Sequence, residues 1–301
     1  MTDNFKSGYV AIVGKPNVGK STILNKLVGQ KIAIMSPKPQ TTRNKILGIL
    51  HGDGYQVVFL DTPGFHKPRT RLGENMVKEV NEAMDGVDIT MVVVEPCEKI
   101  SPAEEEIIKK IGSSHSILVI NKTDTVKKDE LLGVIDMYTK LCDFDDIVPV
   151  SAKTGENLDE LKSVISDALP KGPMYYPEDM VTDQMEKEIV AEVIREKILK
   201  TLRDEIPHGT AVEIVKMKFR DDVSGGMYDI SANIFCEMNS HKGIIIGKGG
   251  KTLKQIGSLA RQECEKMLET KVFMELWVKV KEDWRNSNSI MREIGILTDE
   301  D

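Results

Sequence analysis

No apolar run in this sequence approaches the roughly 20 residues that a bilayer-spanning helix needs, so no helical membrane span is expected. The stretch Met1 to Gly8 lacks an apolar h-region, and export is not expected either. Cysteine is scarce and scattered: Cys97, Cys142, Cys236 and Cys264 form no Cys-x-x-Cys pair and have no His-rich companion. That spacing argues against a zinc site and suits reduced thiols in a cytoplasmic protein. Excess positive charge is missing too. A net charge of −7 excludes coating of nucleic acid by a global field, while leaving room for a local basic face. What the chain does have is length enough for two domains, 301 residues, with the 40% hydrophobic and 30% charged balance of a soluble globular protein.

The stretch that organises the first half is Gly14-Lys15-Pro16-Asn17-Val18-Gly19-Lys20-Ser21, followed by Thr22. Tyr9 to Val13 reads as a buried strand before it. Ile23, Leu24, Leu27 and Val28 after it have helical spacing that stops at Gly29. Strand, glycine-bounded loop ending in Gly-Lys-Ser, then helix is the P-loop arrangement. Gly19 lets the backbone approach phosphate, and successive amides at a helix N-terminus cradle an anion. Lys20 is expected to reach the β- and γ-phosphates, and the Ser21 hydroxyl to take one Mg²⁺ position.

Lys31 to Arg43 has no steady period and reads as a mobile loop. It contains Gln40-Thr41-Thr42-Arg43, in which Thr42 is preferred as the metal-ligating, γ-phosphate-sensing threonine. Ile46–Leu50 and Gln56–Leu60 are apolar runs joined by the hairpin signal His51-Gly52-Asp53-Gly54. The second run ends in Asp61-Thr62-Pro63-Gly64. Here Asp61 can hold Mg²⁺ through water, and the Gly64 amide can bond a γ-phosphate. Phe65 stands where many GTPases carry a water-orienting Gln, so it cannot position water.

Ser116–Ile120 runs into Asn121-Lys122-Thr123-Asp124, the most discriminating motif in the chain. A carboxylate only accepts hydrogen bonds, so Asp124 can accept from guanine N1–H and the exocyclic amine, where adenine offers no donor. Asn121 and Lys122 are expected to brace the loop and pack on the base. Ser151-Ala152-Lys153 follows one strand later, with the Ala152 amide placed for guanine O6. Helical patterns separate the strands, which predicts a mostly parallel, doubly wound sheet in a P-loop NTPase of the Ras-like G-domain kind.

Lys171 to Glu178 breaks every period and carries two prolines, so the chain divides into a GTP-binding domain over 5–170, a linker over 171–180 and a second domain over 181–301. The second domain reads as a helix over Gln184–Leu202 and strands over Thr210–Phe219 and Met227–Phe235, joined by the turn Asp221–Gly226. An apolar turn, His241 to Ile246, then enters Gly247-Lys248-Gly249-Gly250 and a long helix. This is the pattern of a KH domain, in which a Gly-x-x-Gly loop clamps single-stranded nucleic-acid backbone. The loop lacks the Gly-Lys-Ser/Thr ending of a second nucleotide site. Lys242, Lys248, Lys251 and Lys254 cluster there and make the local field basic. The order α-β-β-α-α-β, closed by a strand over Val272–Val280, is that of an α+β type II KH domain. Trp277 is expected in the core and carries no site assignment.

These motifs resemble the bacterial Era family of translation-factor-like GTPases. The likeness rests on the P-loop, Gln40-Thr41-Thr42-Arg43, Asp61-Thr62-Pro63-Gly64, Asn121-Lys122-Thr123-Asp124 and the stretch Leu276 to Arg285, so it covers almost the whole chain. It implies a GTPase with GTP/GDP and Mg²⁺ in the first domain, and Lys20, Thr42 and Gly64 at the reacting phosphate. It also implies a K⁺ ion held through Asn17, the alternative being a turn-stabilising residue with no metal. As partners it implies 16S ribosomal RNA near its 3′ end and assembly of the 30S subunit. A cytoplasmic monomer with peripheral association at the inner face of the cell membrane completes the expectation. The rivals are a metabolic P-loop kinase and an RNA-binding switch with negligible hydrolysis.

Overall fold

The computed structural model describes residues 4–36, 38, 41–203, 206–222 and 225–297. Gln40 of the switch motif and Val223 and Ser224 of the expected turn lie outside them. Two units emerge, one from the chain through Arg69 with Gly73–Asp183, the other from Gln184 onward with Thr70–Leu72.

The first unit is a six-stranded sheet in the order β2-β3-β1-β4-β5-β6. Its strands are β1 (Lys6–Val13), β2 (Ile46–Gly52), β3 (Tyr55–Asp61), β4 (Ile89–Val94), β5 (His115–Ile120) and β6 (Asp146–Pro149). All pairings are parallel except β2 with β3, a hairpin closed by Asp53-Gly54 with Gly54 at φ +78°. Strands covered on both faces read as unbroken apolar runs, and every residue of β4 is buried. On one face pack α1 (Lys20–Val28) and α5 (Leu158–Ala168), through Ile23, Leu24, Leu27, Leu161 and Ile165. On the other pack α2 (Arg71–Met84), α3 (Pro102–Lys109) and α4 (Lys128–Thr139), through Val80, Ile107, Ile108, Val134 and Tyr138. Helix boundaries follow local chemistry. Gly29 closes α1 at φ +81°, its N–H donating to the Asn25 carbonyl, while Ser101 and Glu104 form a capping box on α3 with Pro102 in its first turn.

The stretch expected to be a linker is bound to this first unit. Val181 accepts from the Ile49 amide at 2.9 Å, and the Thr182 hydroxyl donates to the Leu47 carbonyl at 2.7 Å. Gln56, fully buried, bonds the backbone of Tyr175 and Tyr176. Prolines break the helical period here without freeing the chain, because its backbone groups find partners on β2 and β3.

The second unit orders its elements as α6 (Glu186–Thr201), β7 (Ala211–Arg220), β8 (Met227–Cys236), α7 (Asn239–Ile246), α8 (Lys251–Met267), β9 (Lys271–Val280) and a short α9 (Asn288–Glu293). β8 is central, antiparallel to β7 and parallel to β9. Val193, Ile194 and Ile198 of α6 and Ile256, Ala260 and Cys264 of α8 bury one sheet face against Ile230, Ala232 and Ile234. Two expectations are corrected. The apolar run before the Gly-x-x-Gly loop is the helix α7, not a turn. Trp277 is 59% exposed, whereas Trp284 is the fully buried tryptophan, its Nε1–H donating to the Gly209 carbonyl at 3.0 Å. Alternation along β9 is the reason: Val272 and Val278 face the core, so the odd-numbered Phe273 and Trp277 face out.

Candidate functional site: a nucleotide cavity and a glycine clamp

At the carboxyl ends of β1, β3, β5 and β6 lies a cavity of about 490 Å³. The loop between β1 and α1 forms its floor, and two glycines there have no room for a side chain. A Cβ on Gly14 would sit 2.2 Å from the Val93 carbonyl oxygen. One on Gly19 (φ +103°) would sit 2.1 Å from Asn121 Nδ2. Gly19 therefore makes room for a protein side chain, a role its motif does not announce. Asn121 uses that room: its Nδ2 donates to the Val18 carbonyl at 2.8 Å, and its Oδ1 accepts from the Ala152 amide at 3.0 Å. One buried amide thus ties the P-loop to the loop after β6.

Lys20 is buried, and its Nζ donates to the Gly14 carbonyl at 3.1 Å and the Lys15 carbonyl at 3.0 Å. Burial draws its pKa down to about 8 against the pull of Asp61. Asp61 is pushed up to about 6 by burial, opposed by Lys20 and by bonds from Ser21 and Thr42. The Ser21 hydroxyl donates to Asp61 Oδ2 at 2.7 Å and lies 2.9 Å from Thr42 Oγ1, itself 3.5 Å from the same carboxylate oxygen. Asp61 Oδ1 is buried with no hydrogen-bond partner. Three hard oxygen donors plus an unpartnered carboxylate oxygen fit Mg²⁺. No His/Cys cluster for a softer metal occurs among the described residues.

At the other end, Ser151 Oγ donates to Asp124 Oδ1 at 2.7 Å and Lys153 Nζ lies 3.6 Å from Oδ2. The Ser151 bond is the main reason that the Asp124 carboxyl lies below its ordinary pKa, so it is an acceptor at neutral pH. In the second unit, Gly247, Gly249 and Gly250 all have positive φ (+74°, +61° and +75°), and a Cβ on Gly247 would meet Thr252 Oγ1 at 2.1 Å. Lys248, Lys251 and Lys254 are exposed there, Lys242 is half-buried, and the first turn of α8 holds no acidic residue.

The pattern of the family described as "50S ribosome-binding GTPase" matches residues 9–122, and that of the KH domain matches residues 205–285. The GTPase Era of Clostridioides difficile is 53% identical over 294 residues, 97% of this chain and 98% of its own length. That of Ruminiclostridium cellulolyticum is 49% identical over 297 residues, 98% and 99% of the two chains. The chain belongs to the Era family of GTPases. Two solved Era structures, each with a TM-score of 0.93 and 41% identity, cover 98% of this chain and 100% of their own. One is a point variant of Aquifex aeolicus Era bound to GDP·AlF₄⁻. The other is Era in complex with MgGDPNP and nucleotides 1506–1542 of 16S ribosomal RNA.

In this Era-family chain the cavity gathers Pro16, Asn17, Gly19, Lys20, Ser21 and Thr22 with Thr42, Gly64, Asn121, Lys122, Asp124, Ala152 and Lys153. Other expected site residues have their side chains elsewhere. Lys15 pairs with the buried Glu104 at 3.0 Å, and the Thr62 hydroxyl donates to the Ile12 carbonyl at 2.8 Å. Val18 and Phe65 are core residues and Pro63 is buried. Gly14 lends its carbonyl to Lys20 and to the Phe65 amide, and Ser151 acts through Asp124. Lys122 is ion-paired with Glu95. Asn17 has φ +68°, a backbone that Asn tolerates well, so the turn itself accounts for the residue type. Ile34, Met35, Ser36, Thr41 and Thr125 also line the cavity and were not expected there. Four of the five lie in the loop read as a switch, where aperiodic sequence gave no signal for individual side chains.

Proposed function

We propose that this GTPase binds 16S ribosomal RNA near its 3′ end through its KH domain and acts in assembly of the 30S subunit. The observation that carries this reading is the relative solved with nucleotides 1506–1542 of 16S RNA, matched along 98% of this chain. The positive-φ glycines and exposed lysines at Gly247–Lys254 supply the matching chemistry. Glycines let a sugar-phosphate chain lie against the backbone, and the lysines offset phosphate charge.

In the nucleotide site, Lys20 would leave the Gly14 and Lys15 carbonyls for the β- and γ-phosphates, whose charge restores its full protonation. Ser21, Thr42 and Asp61 would hold Mg²⁺, which would offset the charge that develops on the phosphate oxygens. The Gly64 amide would bond the γ-phosphate, and Asp124 would select guanine. Phe65 packs in the core under Lys110, 4.7 Å from ring centre to Nζ, and cannot orient water. Backbone groups and a K⁺ at Asn17 would supply that function. K⁺, the monomeric state, cytoplasmic residence and peripheral membrane association rest on the family resemblance. No helix among the described residues is long and apolar enough to cross a membrane.

The deciding experiment measures phosphate release against a short 16S 3′-end oligonucleotide, in Na⁺ and then in K⁺ buffer. Slow intrinsic turnover, of order 10⁻⁴–10⁻² s⁻¹, is expected to rise with the oligonucleotide and to be faster in K⁺. No response to the oligonucleotide would remove the RNA reading, and equal rates in the two salts would remove the K⁺ assignment. Replacing Lys248 and Lys251 together with Ala should weaken oligonucleotide binding and reduce the slope of log K against log salt by about 1–2. Fluorescence anisotropy across a salt series reads both, and an unchanged slope would show that these lysines touch no phosphate.

A further inference from the structure

The segment 171–183 is held at two places that differ in kind. Its first residues are fixed to β1 and the residue before it. The Gly172 amide donates to the Phe5 carbonyl at 3.1 Å, Ser7 Oγ donates to the Pro173 carbonyl at 2.6 Å, and Tyr175 stacks on Tyr9. Its later residues are fixed to the β2–β3 hairpin, and Gln56 is the centre of that grip. The Gln56 Oε1 accepts from the Tyr175 and Tyr176 amides at 2.8 and 3.1 Å. Its Nε2 donates to the Tyr176 carbonyl at 2.8 Å and faces His51 Nδ1 at 3.3 Å. His51 Nε2 in turn meets the Met180 carbonyl at 2.8 Å, which a single neutral tautomer satisfies: Nε2–H donating and Nδ1 accepting. A fully buried glutamine with both ends of its amide engaged on main chain sets the register of that chain.

The hairpin's other end is the phosphate-sensing end of the site. β2 begins four residues after Thr42, and β3 ends at Asp61. Ile46 stands opposite Asp61 in the ladder, while His51 stands opposite Gln56 five steps away. At about 3.4 Å per residue the two ends lie about 17 Å apart. The seven pairs between Ile46–Asp61 and Gly52–Tyr55 make a continuous antiparallel ladder with no bulge, which resists bending more than loop does. Any tilt or slip that follows a change of contacts at Thr42 and Asp61, working against the ladder that pairs β3 with β1, is therefore delivered at His51 and Gln56. There it acts on a segment whose start is anchored to β1.

We propose that the β2–β3 hairpin is a lever, with its short arm at Thr42 and Asp61 and its grip at Gln56, that transmits the nucleotide state to the segment leading into the KH unit. This rests on the GTPase activity, and only its RNA consequence rests on the 16S reading. The first test uses the unmodified full-length chain: amide hydrogen exchange with GDP and with a non-hydrolysable GTP analogue, each with Mg²⁺. The Tyr175, Tyr176 and 180–183 amides should exchange several-fold differently between the two states. Equal exchange, with Thr42 and Gly64 differing, overturns the lever. The second test replaces Gln56 with Leu, which keeps volume and removes the three bonds that the Gln56 side chain makes to Tyr175 and Tyr176. Intrinsic hydrolysis should stay within about two-fold of wild type, while stimulation by the 16S oligonucleotide falls to half or less. Undiminished stimulation overturns the proposal. Thr182→Val, which removes the hydroxyl that bonds the Leu47 carbonyl of β2, should give a smaller loss in the same direction if Gln56→Leu does not fold. A wild-type chain that ignores the oligonucleotide refutes the RNA reading instead, and the exchange measurement then still decides the lever.

Discussion

Asp124→Asn should lower GTP affinity by about 10²- to 10³-fold and transfer preference to xanthosine triphosphate. Ser151 decides the orientation of the new side chain. Its hydroxyl donates at 2.7 Å to one Asp124 oxygen, and after the substitution the amide oxygen keeps that place. The amide NH₂ is then turned toward the purine edge, where guanine presents two donors. Hydrogen bonds to a charged group are worth about 1.5–3 kcal/mol each, and replacing acceptance by donor–donor opposition forfeits roughly 3–4 kcal/mol, which is the stated factor. Xanthine carries a carbonyl where guanine carries its amine, so the same NH₂ gains a partner. Competition titrations of a fluorescent nucleotide with GTP, XTP and ATP read the result directly. Unchanged GTP affinity would take the base-reading role away from Asp124. Equal displacement by ATP in the wild-type chain would be out of keeping with that role altogether.

Gly19→Ala is expected to be nearly as damaging, through a different cause. The backbone there has φ +103°, outside what an alanine adopts without strain, which costs about 1–2 kcal/mol. The methyl would also occupy the position of Asn121 Nδ2, 2.1 Å away, and Asn121 cannot yield without giving up its bonds to Val18 and Ala152. Each such buried bond is worth about 1 kcal/mol, more where a group is left unpaired. The sum, about 3–4 kcal/mol, should appear as a loss of nucleotide affinity of 10²-fold or more. Calorimetric titration with GDP checks it. Asn121→Ala in the Gly19→Ala background separates the two contributions: if the clash dominates, the second substitution should add little further loss.

Where sequence reading succeeded, the reason was chemical. Lys20, Ser21 and Asp124 belong to motifs whose spacing suits a phosphate and a purine, and the structure brings them around one cavity, with Asp61 bonded behind Ser21. Strands and helices followed from apolar runs and period, with some ends unmoved and others moved by a few residues. The side-chain destinations of Lys15, Thr62 and Phe65 were not legible, because a motif records that a residue type recurs and not which way it points. The partner of Lys15 is Glu104, 89 residues on, and no local pattern connects them. Trp277 is different, since the alternation of Val272, Met274, Leu276 and Val278 already turned it outward. A preference for burying tryptophan outweighed a period that was present. The stretch 171–180, which proline and broken period mark as a linker, has backbone partners on strands far away in sequence that no local pattern announces.

Those partners also bear on where the first unit can be cut. β2 is the outermost strand of its sheet, and its free side is occupied by Val181 and Thr182. A fragment ending at Pro170 would leave that side bare, with the Ile49 amide and the Leu47 carbonyl exposed as a template for another chain. Uncovered edge strands invite self-association. The G domain is therefore expected to stay soluble when it ends after Asp183 and to aggregate when it ends thirteen residues sooner.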